Sequence, residues 1–312
     1  MSQRLLPNGG RIQIVAPSGA IDPEILQAGS AALKLAGFDV RLAPHVLNNK
    51  VGVFAATDNL RAADLANALA DHEVDVVWCA RGGYGALRTI EALGKFGGWQ
   101  AVFRQTDKVV VGFSDITALH AAAALCGHVG VHGPMLKHIA IHGADAPDVR
   151  ATLDILRGKP FSITRQAMPG SRDGEARGKL IGGNLSILYS LAAARMTPSL
   201  RGAILFIEDL SEYRYHVDRM IHSIRMAGLL NGLRGLIVGQ MTNMKDGATP
   251  FGRDAYQIVS DSVADLDIPV FIGYPAGHAA DENFPLVIGQ GCQLSVSRGM
   301  ATVSQTLAEP HL

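Results

Sequence analysis

The chain has 312 residues, with 28 basic and 28 acidic side chains that cancel and a hydrophobic share of 48%. That length suits about two domains, and the balanced charge removes the case for nucleic acid or an anionic membrane surface as principal partner. No run is apolar enough to span a bilayer and Met1–Arg11 lacks a signal-peptide core, so the expectation is a cytoplasmic protein that acts on a small molecule or peptide.

Three cysteines, Cys79, Cys126 and Cys292, stand far apart in apolar surroundings, which fits reduced thiols rather than a disulfide framework. The first half alternates strands and helices. Arg11 to Ala16 reads as a strand, Pro23 to Ala36 as a helix stopped by Gly37, and Asp39 to Ala43 as a second strand. A helix over Asp58 to Ala70 leads to a strand at Val74 to Ala80, the glycine loop Arg81-Gly82-Gly83-Tyr84-Gly85 and a helix to about Leu93. The apolar run Val109-Val110-Val111 then ends at Gly112-Phe113-Ser114-Asp115, ahead of an alanine-rich helix to Cys126. This order predicts a doubly wound, mostly parallel sheet, because parallel strands need helical crossovers. Loops at the carboxyl ends of such strands carry the working site. Ala16-Pro17-Ser18-Gly19, the glycine loop and the Ser114 turn are all expected on that rim.

A strand at Val129 to Met135 and a helix near Asp148 to Leu156 complete an α/β domain over 1–160. The Gly-, Pro-, Ser- and Arg-rich stretch 161–178 reads as a linker. The second domain, 179–312, is expected to be a smaller, β-rich α/β unit. Gly182-Gly183-Asn184 opens a helix to about Ala194, and strands are expected at Ala203 to Glu208, Gly235 to Gln240 and Val270 to Gly273. Helices are expected from about Tyr213 to Leu229 and near Asp254 to Leu266, and Phe284 to Gln305 reads as hairpins.

Ser114 is a candidate nucleophile: a serine on a sharp strand-to-helix turn projects its hydroxyl above the sheet, near unpaired helix N–H groups. The plainer reading is a helix cap. A serine needs a base, and the base needs a partner that fixes its tautomer. Glu208, directly after Ile204-Leu205-Phe206-Ile207, and His278, in Gly273-Tyr274-Pro275-Ala276-Gly277-His278, stand where buried strands give way to loops. Their plainer readings are an ion-paired strand end and a loop histidine. Backbone N–H groups of Asp115 and Gly83, with Gly82 beside it, are the candidate oxyanion donors. The glycine loop lacks the Gly-Lys-Ser/Thr ending of a phosphate cradle. His120, His128, His132, His138 and His142 crowd one region, with His138 and His142 four apart, but no His-Glu-x-x-His pattern and no clustered cysteines accompany them, so neither a metal nor another cofactor is expected.

Arg81-Gly82-Gly83-Tyr84-Gly85, Gly112-Phe113-Ser114-Asp115, Gly182-Gly183-Asn184-Leu185, Ile207-Glu208-Asp209 and Gly277-His278, in this order, resemble the L,D-carboxypeptidase family of serine peptidases. That family includes murein tetrapeptide carboxypeptidases and microcin C immunity peptidases. The resemblance runs from about Ile12 to Gly291. It implies a triad with Ser114 as nucleophile, His278 as base and then acid, and Glu208 orienting His278. It further implies a homodimer, a site in the cleft between two domains, and release of a terminal D-alanine from a murein-derived tetrapeptide in cell-wall recycling. Arg81 and Asn184 are candidate substrate contacts. The alternatives are an immunity-type peptidase acting on aminoacyl or peptidyl nucleotides, and a catalytically silent peptide-binding protein.

Overall fold

The computed structural model describes residues 3–47, 49–279 and 281–307. The outermost parts of both expected domains, residues 1–2 and 308–312, lie outside these. Among the described residues the chain forms two units: the first runs to Lys159 and adds Phe284–Gly289, and the second takes Pro160–Asn283 and resumes at Gln290.

In the first unit, β1 (Arg11–Val15), β2 (Asp39–Leu42), β3 (Val76–Cys79), β4 (Val109–Gly112) and β5 (Gly130–His132) form a parallel sheet. β11 (Leu286–Ile288) closes it antiparallel to β5, giving the order β11-β5-β4-β3-β1-β2. All four residues of β3 and all four of β4 are buried, as strands covered on both faces must be. The helices are α1 (Pro23–Leu35), α2 (Asp58–Ala70), α3 (Ala86–Ala92), α4 (Trp99–Arg104), α5 (Thr117–Leu125), α6 (Leu136–His142) and α7 (Pro147–Leu156). α1 begins where Asp22 accepts the N–H groups of Glu24 and Ile25, with Pro23 in the first turn. It buries Leu26, Gly29, Ser30 and Leu33, one stripe at helical spacing; each leucine contributes about 1.5–3 kcal/mol by leaving water. Gly29 is there because a Cβ would meet the Leu136 carbonyl oxygen of α6 at 2.7 Å. Both α4 and α6 are absent from the sequence expectation, each being less than two turns long with a glycine at one end.

The second unit holds a seven-stranded mixed sheet, ordered β10-β9-β8-β7-β12-β13-β6. Its strands are β6 (Phe161–Gln166), β7 (Gly174–Asn184), β8 (Ile204–Leu210), β9 (Gly235–Thr242), β10 (Val270–Ile272), β12 (Gly291–Ser297) and β13 (Met300–Gln305). Its helices are α8 (Leu185–Ala193), α9 (Arg214–Met226) and α10 (Ala255–Ser262). β7 joins the two halves: residues 174–179 pair antiparallel with β12, and 180–184 pair parallel with β8. Backbone approach is closest at Gly182, φ +149°, where a Cβ would fall 1.9 Å from the Phe206 carbonyl oxygen.

Two expectations are corrected. Residues 161–178 are not a linker: they supply β6 and the start of β7, and the second unit begins at Pro160 rather than 179. Their polar composition belongs to strands with one face in solvent, seen in the alternating exposure of Phe161-Ser162-Ile163-Thr164-Arg165-Gln166. The tail is also not wholly hairpins of the second unit. β12 and β13 form one hairpin, but Leu286–Ile288 belongs to the first unit's sheet. Among the described residues no helix is long and apolar enough to cross a membrane.

Candidate active site

At the carboxyl end of β4 the chain turns through Phe113 into a 3-10 turn, Ser114–Ile116, before α5 begins. Ser114 has φ +64°, a left-handed conformation that costs a non-glycine residue free energy and needs support from its surroundings. Gly112 allows the turn, since a Cβ there would press on Ile116 at 3.0 Å and on Cys79 at 3.1 Å. Gly82 does the same from the neighbouring loop, where a Cβ would lie 3.1 Å from the Ser114 Cβ and 3.3 Å from its Oγ.

The three loops expected on one rim do meet. Gly19 N–H donates to the Gly82 carbonyl at 3.0 Å, and Ser18 Oγ donates to Asp115 Oδ2 at 2.6 Å. Ala86 N–H, at the start of α3, donates to the same Asp115 oxygen at 2.8 Å. Burial pushes the Asp115 carboxyl above its ordinary range, against the hydrogen bonds from Ser18 and Ala86 and the charge of Arg61. Arg61, 1% exposed, donates to the carbonyls of Pro17 at 2.5 Å, Gly85 at 2.9 Å and Ala56 at 3.1 Å, and pairs with Asp58. It clamps the loops after β1 and β3 from behind. Among the described residues the N–H groups of Gly83 and Asp115 have no protein acceptor, as donors at a loop and a helix start can be left for a ligand. Arg81 is exposed and directs one guanidinium N–H to the Ala20 carbonyl at 2.7 Å.

In the second unit, His278 Nδ1 lies 2.7 Å from Glu208 Oε2, with Glu208 wholly buried and the His278 side chain 14% exposed. The β8–β9 register shifts between Ile207 and Asp209, so Glu208 sits in an irregularity of the ladder. Such bulges re-aim a side chain. Burial works to lower the His278 pKa, but the hydrogen bond and charge of Glu208 outweigh it, and the ring titrates above its ordinary 6.5. The loop carrying His278 is clamped twice. Gln240 Oε1 accepts the Ala279 N–H at 2.7 Å, and Asn283 Oδ1 accepts the Gly277 N–H at 3.1 Å. Gly277, φ +142°, allows close approach: a Cβ would lie 3.0 Å from Gln240 Cβ and 3.2 Å from Glu208 Oε2.

Asn184 takes the plainer of its two roles. It caps α8 by accepting the Ile187 N–H at 3.2 Å, and its Nδ2 donates to Asp209 Oδ1 at 2.9 Å. Only 4% exposed, it lends no support to a substrate contact. The sequence reading places Ser18 on the rim only as part of its loop and does not single out Arg61, Gln240 or Asn283. Gln240 had a readable signal, since it ends the apolar strand Leu236-Ile237-Val238-Gly239 just as Glu208 ends its own. Two of the crowded histidines have protein partners of their own. His120 Nε2 meets the Val110 carbonyl oxygen at 3.2 Å, with its pKa lowered by burial to about 4, and His138 pairs with Asp148 at 2.7 Å. Among the described residues no group of three or more His, Cys, Asp or Glu side chains is arranged to hold a metal.

Residues 12–133 match the LD-carboxypeptidase N-terminal domain and 177–294 the LD-carboxypeptidase C-terminal domain. The chain belongs to the LD-carboxypeptidase family. A Streptomyces coelicolor relative is 36% identical, covering 97% of this chain and 95% of its own. The murein tetrapeptide carboxypeptidase of Pseudomonas aeruginosa is 28% identical, covering 88% and 90%. Among solved structures, the muramoyltetrapeptide carboxypeptidase of Oxalobacter formigenes superimposes with a TM-score of 0.84 at 27% identity, over 95% of this chain and 98% of its own. LD-carboxypeptidases are peptidases, so the chemistry to be accounted for is hydrolysis at the carboxyl end of a peptide.

Proposed function

We propose that this chain is a serine-type L,D-carboxypeptidase that releases the terminal D-alanine from murein-derived tetrapeptides, cleaving the bond after the diamino acid. The observation that carries the serine mechanism is the 2.7 Å Glu208–His278 hydrogen bond, a base already held in one orientation. The strained turn at Ser114 supplies the matching nucleophile. Relatives named as murein tetrapeptide carboxypeptidases support the substrate class.

In this reading His278 Nδ1–H is held by Glu208, which leaves Nε2 as the base. Nε2 takes the Ser114 hydroxyl proton as Oγ attacks the carbonyl of the diamino acid. The oxyanion accepts from the N–H groups of Asp115 and Gly83, and Arg81 is the candidate partner for the substrate's terminal carboxylate. Collapse breaks the C–N bond, and the imidazolium returns its proton to the leaving amine of D-alanine. A water, deprotonated by His278, then hydrolyses the ester and restores Ser114. Glu208 stabilises the imidazolium in both steps without itself taking the proton.

The test is mass spectrometry of a murein tetrapeptide ending in D-alanine after incubation with the protein. Loss of one alanine is expected from wild type and not from Ser114→Ala. An intact tetrapeptide beside a hydrolysed aminoacyl nucleotide would instead favour the immunity-type activity. The same reading carries a homodimer and a cytoplasmic address, checked by light scattering and by cell fractionation.

A further inference from the structure

We propose that the Asp115 carboxylate is a positioning residue that aligns the oxyanion donors with the nucleophile. The inference rests on Ser114 being that nucleophile. Asp115 follows the strained residue directly and is 2% exposed. One of its oxygens, Oδ2, accepts from Ser18 Oγ at 2.6 Å and from Ala86 N–H at 2.8 Å, so the loops after β1 and β3 are tied to the turn after β4.

A carboxylate is an expensive way to make such a tie, since burial opposes its charge. The choice follows from the donors. A hydroxyl and an N–H both donate, and a carboxylate is acceptor-only. An asparagine could offer one oxygen but would bring an NH2 group needing an acceptor of its own.

Arg61 and Asp115 divide the task. Arg61 binds the Pro17 and Gly85 carbonyls, and Thr89 Oγ1 adds a bond to Pro17 at 2.7 Å, so the loops stay fastened to each other without Asp115. Asp115 fastens both of them to the turn bearing Ser114. Removing its charge leaves the sheet and the loop pair in place, but frees the Gly83 N–H to drift relative to Ser114 Oγ and the Asp115 N–H. The loss then falls on the chemical step rather than on folding or substrate binding.

The experiment compares wild type, Ser114→Ala, Asp115→Asn, Ser18→Ala and Ser18→Thr on a murein tetrapeptide. It reads kcat and KM, thermal midpoint, and the fraction of competent sites titrated with a serine-directed phosphonate. Asp115→Asn is expected to lose about 100-fold in kcat, the scale of one misplaced oxyanion donor, with KM within about threefold and a thermal midpoint lowered by no more than a few degrees. Ser18→Ala loses about tenfold, and Ser18→Thr, which keeps the hydroxyl, regains most of it. If Asp115→Asn does not fold, the Ser18 pair carries the test alone. The proposal is overturned by Asp115→Asn within threefold of wild type, or by losses that track the titrated fraction. Ser114→Ala as active as wild type would overturn the nucleophile reading and this proposal with it. An inactive Ser114→Ala beside an unimpaired Asp115→Asn would overturn this proposal alone.

Discussion

Glu208→Gln isolates the charge behind His278, the proposed base. In the wild-type protein His278 feels burial, which disfavours its cationic form, and the Glu208 carboxylate, which favours it and prevails. With N and O 2.7 Å apart, the charge centres lie about 4 Å from each other; at an effective dielectric of about 20 that attraction is roughly 4 kcal/mol, about a thousandfold in rate if lost when the imidazolium forms. The amide can also turn its NH2 toward Nδ1 and favour the wrong tautomer, so a loss of about 1,000- to 10,000-fold in kcat is expected. The pH profile gives an independent check. The base must be neutral, so the wild-type rate falls as pH drops through a pKa above 6.5. In Glu208→Gln burial is opposed only by the charge of Asp209, and the limb moves to lower pH. Initial rates from pH 5 to 9, with the His278 ring followed by NMR, measure both effects. A wild-type limb at or below 6.5, or a variant within threefold of wild type with its limb unmoved, would refute the reasoning and the proposed role of His278 with it.

Other substitutions probe the supports. Gly277→Ala places a methyl group against Gln240 and Glu208 at φ +142°; it should cost about 1–3 kcal/mol in urea unfolding and at least tenfold in kcat. Arg61→Met takes one donor from each of the buried carbonyls of Pro17, Gly85 and Ala56, the first two keeping the Thr89 hydroxyl and N–H as partners. At about 0.5–1.5 kcal/mol per lost bond, and about 1–3 kcal/mol where Ala56 is left unpaired, about 2–6 kcal/mol of stability should be lost, and a change under about 1 kcal/mol would contradict the clamp. Because the fold raises the His278 pKa, its ionisation stabilises the protein fully below pH 6.5, and that contribution fades as pH rises through the folded-state value; thermal midpoints of wild type and His278→Ala should converge on the alkaline side. Burial pushes the Cys79 thiol up, and that of Cys292 up to about 12. At pH 8 a disulfide reagent should therefore modify only Cys126 in the native protein and all three cysteines after denaturation.

The sequence makes the parallel sheet legible because its strands are short β-branched runs ending in glycine-bearing loops, and β4 with Ser114 is the clearest case. What it hides is non-local. The buried carboxylate of Asp115 reads as an ordinary acid at a helix start, since its partners Ser18 and Ala86 lie 97 and 29 positions away. The irregularity at Glu208 depends on the register with β9, which no local pattern carries. Residues 161–166 look like a linker because an edge strand shows half of its side chains to water. The pairing of Leu286–Ile288 with β5 is equally invisible, as a short apolar run does not announce its neighbour.

That last pairing bears on how the protein is made. A ribosome that has released residues up to Lys159 has released every parallel strand of the first sheet, but not the three residues that cover the open edge of β5. At roughly 5–20 residues per second, the intervening stretch up to Asn283 takes on the order of 6–25 s to emerge. Throughout that interval the nascent chain carries an unpaired edge of Gly130-Val131-His132, the kind of surface that recruits a stray strand or a chaperone. A gene fragment ending near residue 159 would make that transient exposure permanent, so dissecting this enzyme into halves should yield an aggregating first half unless the 284–289 segment is grafted back.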